Sequence, residues 1–233
     1  RMNDPYVRKY IEERELTVML LVDVSGSGDY GSGEDSKRER AAEVAAVFAF
    51  SANHNGDKVG LCLFSDQVEH YLPARKGGSH TLRIVRDILD KQPASPRTDL
   101  TPALELALQR IPHRALVVIV SDFLTADDAW EKSLRSLATK HDVVAAQIID
   151  PRELELPDAG RVVLEDPETG EQHVLNTSSP AVRRRYAERL TALRDTLAKR
   201  FKKIGVERLD IRTDTDYAPA LTAYFRGRRR RKR

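Results

Sequence analysis

One residue of the 233 is cysteine, Cys62 in the apolar run KVGLCLF. No disulfide framework is therefore available, and a reducing, cytoplasmic compartment is the expected setting. No apolar run approaches the ~20 residues that a membrane span needs, and no signal-peptide pattern stands ahead of the first strand, so a soluble chain is expected. None of the six histidines falls in a metal-ligand pair such as H-x-x-x-H. A histidine-held zinc or a histidine-based hydrolytic site therefore has no local signature. Aromatic residues make up 6% of the chain and none interleaves with the C-terminal arginines. That tail thus lacks the stacking platforms a single-stranded nucleic acid would use. The tail also dominates the net charge. Arg226 and residues 228–233 contribute seven positive charges, so a formal +3 becomes −4 for the rest of the chain. The body is mildly acidic and the high isoelectric point belongs to the end.

What is present is an alternation of apolar runs and helix-period segments, the pattern of an α/β protein with a parallel sheet covered on both faces. The runs are 16–22, 59–64, 115–120 and 143–149, nearly continuous in apolar character as doubly buried strands require. Helices are predicted over 36–51, where Ser36 and Glu39 form a capping box, and over 80–89, 102–110 and 126–138. In the last of these Trp130, Leu134 and Leu137 share a face, so the lone tryptophan reads as core. VEHYLP at 68–73 follows the second strand after three residues. A connection that short excludes a crossover and predicts an antiparallel edge hairpin. Beyond Asp150 a small hairpin turning at 167–170 is expected, then a long helix over 180–204 ended by Gly205, a strand over 206–211 and a short helix near 217–225.

The first apolar run leads into DVSGSGDYG. Gly26, Gly28 and Gly31 spell G-x-G-x-x-G, a dinucleotide fingerprint, while Asp23, Ser25 and Ser27 spell D-x-S-x-S, a set of oxygen donors. The helix begins too late for the third glycine to pack it on the sheet. Asp29, Glu34 and Asp35 would repel a pyrophosphate, and the position for a ribose-binding acid falls inside a helix. In the second reading, positions 23, 25 and 27 point the same way from an extended segment. A hard cation such as Mg²⁺ requires further oxygens. Thr98 in PRTDLTPALELAL and Asp122 in VVIVSDF are the candidates, both at predicted strand ends, where an open α/β sheet forms its crevice.

D-x-S-x-S, then a T-D-L loop, then an apolar strand ending in S-D-F resembles the metal-ion-dependent adhesion site of von Willebrand factor A domains. That likeness implies a Rossmann-like, mostly parallel sheet in the order 3-2-1-4-5-6 with one antiparallel edge strand. YVRKYIEERELTVMLLVDVSGS, HNGDKVGLCLF and HDVVAAQIIDPRELELPDAGRVVLEDPETGE together resemble the bacterial domain-of-unknown-function-58 family, from about Pro5 to Phe225. The resemblance implies Ser25, Ser27 and Thr98 as direct ligands of Mg²⁺ (or Mn²⁺ or Ca²⁺). Asp23 and Asp122 would act largely through water or alternate with Thr98. It also implies a role beside MoxR-type AAA+ ATPases in assembling or maturing other proteins, with the ATPase or its client offering an acidic residue to the metal. The family's loop usually carries a bulky residue, often methionine, where this chain has Gly28, and GDYGSGED is longer than in many A domains. The expected organisation is an N-terminal extension over 1–15 that continues a truncated upstream region, an A domain over 16–225 with a family-specific third at 151–225, and a basic disordered tail at 226–233.

A binding module and not an enzyme is therefore the expectation. A metal-dependent phosphatase or nuclease would hold its ion with more direct carboxylates, though Asp99, Asp127 or Asp128 could act as a base; the simpler account of all three is as helix N-terminal acids. Nucleic-acid binding through Arg183 to Arg185 and the tail is the third alternative, with a solvated helix face as the simpler account.

Overall fold

The computed structural model describes residues 15–29, 36–125, 128–165 and 170–231. Five strands begin the fold: β1 (Thr17–Asp23), β2 (Lys58–Phe64), β3 (Val68–Arg75), β4 (Leu116–Ser121) and β5 (Asp142–Ile149). A separate hairpin of β6 (Arg161–Glu165) and β7 (Gln172–Asn176) follows, and β8 (Glu207–Arg212) returns to the main sheet. The sheet runs β3-β2-β1-β4-β5-β8, parallel except for β3. The expected order 3-2-1-4-5-6 describes the strands of this sheet counted alone. In chain order the last place goes to β8, because β6 and β7 pair with each other.

Alternation along the strands decides which helices cover which face. Val18, Leu20 and Val22 share one core with Val44 and Phe48 of α1 (Lys37–His54), Ile84 of α2 (Gly78–Asp90) and Tyr224 of α7 (Ala218–Arg231). Met19 and Leu21 face the other core. There they join Leu104 of α3 (Thr101–Arg110), Trp130 of α4 (Trp130–Lys140) and Phe201 of α6 (Pro180–Ile204). Trp130 is buried, as its spacing predicts. A single turn, α5 (Pro151–Leu154), follows β5 directly and is capped by the Asp150 side chain.

Local signals place most boundaries. The capping box at Ser36 is formed in both directions, and Gly205 ends α6 in the left-handed region at φ 85°, where glycine carries no Cβ penalty. α4 starts at Trp130, later than predicted, with residues 126–127 outside the described ones. The predicted turn at 167–170 falls mostly on residues outside the described ones, as does most of the 1–15 extension. α7 reaches Arg231, so the part of the basic segment expected to be disordered that is described here is helical. Its first turns are anchored by Tyr224 and Phe225 against Phe48, with ring centroids 5.6 and 5.2 Å apart.

Gly60 sits where β2 and β3 pair out of register. A Cβ there would lie 2.7 Å from Met19 Cε, 3.0 Å from Ala74 N and 3.1 Å from Leu72 O. The methionine tip can swing aside but the paired backbone cannot. Gly60→Ala is therefore expected to lower unfolding free energy by ~2 kcal/mol, measured by urea denaturation.

Candidate metal centre

All five residues nominated from sequence stand at the carboxyl edge of the central strands. Asp23 ends β1, Ser25 stands just before the short 3-10 turn Gly26–Asp29 and Ser27 lies within it, Thr98 precedes α3, and Asp122 follows β4. Parallel pairing of β1 with β4, Val22 opposite Val120, brings the first and last of these loops side by side. Backbone bonds fix the remainder. Val24 N donates to Phe64 O (2.9 Å), Gly26 N to Pro96 O (2.9 Å) and Asp99 N to Ser65 O (3.0 Å), so the turn after β1 and the Thr98 loop are tied together.

Three hydroxyls meet there. Thr98 Oγ1 donates to Ser25 Oγ at 2.7 Å, and Ser25 Oγ lies 3.2 Å from Ser27 Oγ, all three residues being buried. Octahedral ligands about 2.1 Å from a Mg²⁺ ion stand about 3 Å from one another. The hydroxyl separations bracket that spacing, so the donor chemistry fits a hard cation. Among the described residues no group of three or more histidine, cysteine or carboxylate side chains is placed to hold a metal.

Asp23 accepts from Ser25 N (3.0 Å) through Oδ1 and from Ser121 Oγ (2.7 Å) through Oδ2. Burial, with the neighbouring Asp122 charge adding to it, pushes its carboxyl up to about 6 despite those bonds. Asp122 Oδ1 accepts from Leu124 N (3.0 Å), and its Oδ2 faces Lys37 Nζ at 2.6 Å. Lys37 Nζ also reaches Glu153 Oε1 on α5 at 2.5 Å. These two carboxylates more than offset the burial of the ammonium and raise its pKa, so Lys37 is held charged.

Lys37, Ser121 and Glu153 were not assigned from sequence. Lys37 carried a signal, since it follows the Ser36 cap as the first residue of α1, where the helix dipole disfavours a cation; only the structure shows that it is 3% exposed. Of the alternative bases, Asp99 receives Thr101 N at the start of α3 (2.8 Å). Asp128 pairs with Arg200 across to α6, and Asp127 lies outside the described residues. His141, which caps the C-terminal end of α4, is buried with neither ring nitrogen hydrogen bonded among the described residues. At Gly28 a Cβ would make ordinary 3.7 Å contact with Arg38, so nothing among the described residues requires glycine.

Phe123, directly after Asp122, adopts φ 59°, a conformation that is strained for a bulky residue. Its ring stands edge-on to Phe201 at 5.1 Å, and Trp130 lies 6.2 Å from the same Phe201 ring. Beside the site a groove of about 630 Å³ runs from Ser27, Lys37 and Asp122 along α5 to Leu193 and Arg200 of α6. No described helix is long and apolar enough to cross a membrane.

Comparison with known proteins gives the same picture of the fold. BatB from Bacteroides thetaiotaomicron is similar with a TM-score of 0.61 at 16% identity, covering 94% of this chain and 100% of that one. The SpRpn10 VWA domain is similar with a TM-score of 0.50 at 13% identity, covering 89% and 94%. In sequence, the uncharacterized protein Rv1480 of Mycobacterium tuberculosis is 34% identical over 232 residues, 99% of this chain and 73% of that relative. The model of the family described as protein of unknown function DUF58 matches residues 1–196. With that match over most of its length and a von Willebrand A-like sheet beneath it, the chain belongs to the DUF58 family.

Proposed function

We propose that the chain is a metal-ion-dependent protein-recognition module, with Ser25, Ser27 and Thr98 as direct ligands and Asp23 and Asp122 acting through water. The reading rests on one observation, the meeting of three hydroxyls from two separate loops at 2.7 and 3.2 Å beside two buried carboxylates. Family membership and the A-like fold support an interaction module. The ion would be Mg²⁺, or Mn²⁺ or Ca²⁺, and supplies an electrophilic position that a partner's Asp or Glu takes from water. Hydroxyl ligands leave more positive charge on such an ion than carboxylates would, which favours capture of an acidic group over turnover. Asp23 and Ser121 fix the turn, and the crevice partly excludes water, which strengthens a charge-assisted contact.

The partner is proposed to be a MoxR-type AAA+ ATPase or its client, following the family resemblance. Affinity capture from host extract in Mg²⁺ is expected to recover the ATPase. Capture is expected to fall to background in EDTA and with Asp23→Ala, while circular dichroism of the variant stays that of the folded domain. Equal recovery in Mg²⁺ and EDTA would overturn the proposal.

A further inference from the structure

Lys37 is the least expected side chain of the site. A lysine at the first position of a helix faces the positive end of the dipole, and removing an ammonium from water is costly unless it is paired. This one is buried, yet it contacts carboxylates from two other connections, Asp122 after β4 and Glu153 on α5. The sequence separations are 85 and 116 residues, so the cluster exists only in the folded chain. Four charged groups gather here, Asp23, Asp122, Glu153 and Lys37, leaving two net negative charges when all are ionised.

We infer that Lys37 is a tethered cation that limits how tightly the site takes a divalent ion, holding Asp122 by Oδ2 and leaving the hydroxyls as the direct donors. The inference rests on the metal-dependent reading above and adds its regulation. A site partly neutralised from within binds an ion weakly by itself and gains from each negative charge brought by a partner. Ion and acidic partner then favour one another's binding, as linkage requires. A fixed positive charge several ångströms from a divalent ion lowers its affinity on the order of tenfold even at water-like dielectric.

The test is calorimetric titration of the purified chain with Mn²⁺ alone, accompanied by thermal melts to establish folding. Lys37→Met is expected to bind Mn²⁺ about tenfold more tightly than the parent chain. Glu153→Gln, which removes a negative charge and leaves the cation, is expected to bind more weakly. Because Lys37→Met strands two carboxylates and puts folding at risk, the double variant Lys37→Met/Glu153→Gln restores the charge balance and is expected to bind as the parent does. Lys37→Met binding no more tightly than the parent, or a double variant departing from it tenfold, would reduce Lys37 to a structural ion pair and overturn the inference. A parent chain without detectable binding beside a Lys37→Met variant that binds would support the tethered cation. Absence of binding in all four proteins would remove both.

Discussion

Asp23→Asn is expected to raise the melting temperature of the ion-free protein at pH 8 while abolishing any increase conferred by Mg²⁺. The carboxyl is pushed up to about 6 by burial and by Asp122, against an ordinary value near 3.8. Between those values the folded chain holds a proton that the unfolded chain has released. The protonated form therefore contributes stability below about pH 4, and this is lost as pH rises through 6. Above that the ionised, buried carboxylate costs about 3 kcal/mol. An amide of the same shape keeps the acceptor for Ser25 N. It also meets Ser121 Oγ with a donor in place of an acceptor, which a rotating hydroxyl can accommodate. Melts of the ion-free parent should thus show this loss between pH 4 and 6, and the variant should not. A variant that melts below its parent at pH 8 would show that the ionised side chain's hydrogen bonds outweigh its burial. Under the proposed metal-dependent function, stability is given up so that a charge stands where an ion can use it.

Phe201→Ala is expected to destabilise the fold by about 4 kcal/mol, read from chemical denaturation. Phe201 is almost fully buried on α6 and touches both Phe123 and Trp130, so its removal leaves a cavity between the helix and the edge of the site. Leu193→Ala on the same helix, where the side chain is half exposed, is expected to change stability by less than about 0.5 kcal/mol. The larger variant should also weaken Mn²⁺ binding. Phe123 holds φ 59° immediately after Asp122, and such a conformation persists when the surrounding packing over-determines it. Without Phe201 the loop is free to relax. Unchanged Mn²⁺ affinity in a folded Phe201→Ala protein would show that Phe123 does not position Asp122.

Much of this architecture was legible in the residues because its causes are local. The apolar runs of β1, β2, β4 and β5, the capping box at Ser36, Gly205 after α6 and the short β2–β3 connection each carry their own signal within a few residues. The candidate donors were legible for a related reason. D-x-S-x-S reads as alternation along an extended segment; a 3-10 turn over Gly26–Asp29 takes its place and still brings Ser25 Oγ and Ser27 Oγ within 3.2 Å. Strand ends converge at one edge of a parallel sheet, so Thr98 and Asp122 followed from their places after or between elements. α7 was read too short because its last turns are arginine-rich and lack an apolar stripe. It is tied to the body by Tyr224 and Phe225 against Phe48, and by Arg228 against Asp142 at 3.4 Å.

By itself, then, the sequence determined the strands, their alternation with helices and the oxygen-rich turn at Asp23, since periodicity, capping and side-chain direction act over short spans of chain. Tertiary structure alone decided the charge of the site. Lys37, Asp122 and Glu153 come from three connections far apart in sequence, and their meeting depends on how β1, β4 and β5 align their carboxyl ends. Electrostatic energy depends on distance in space and on burial, and neither is written in the spacing of residues along the chain.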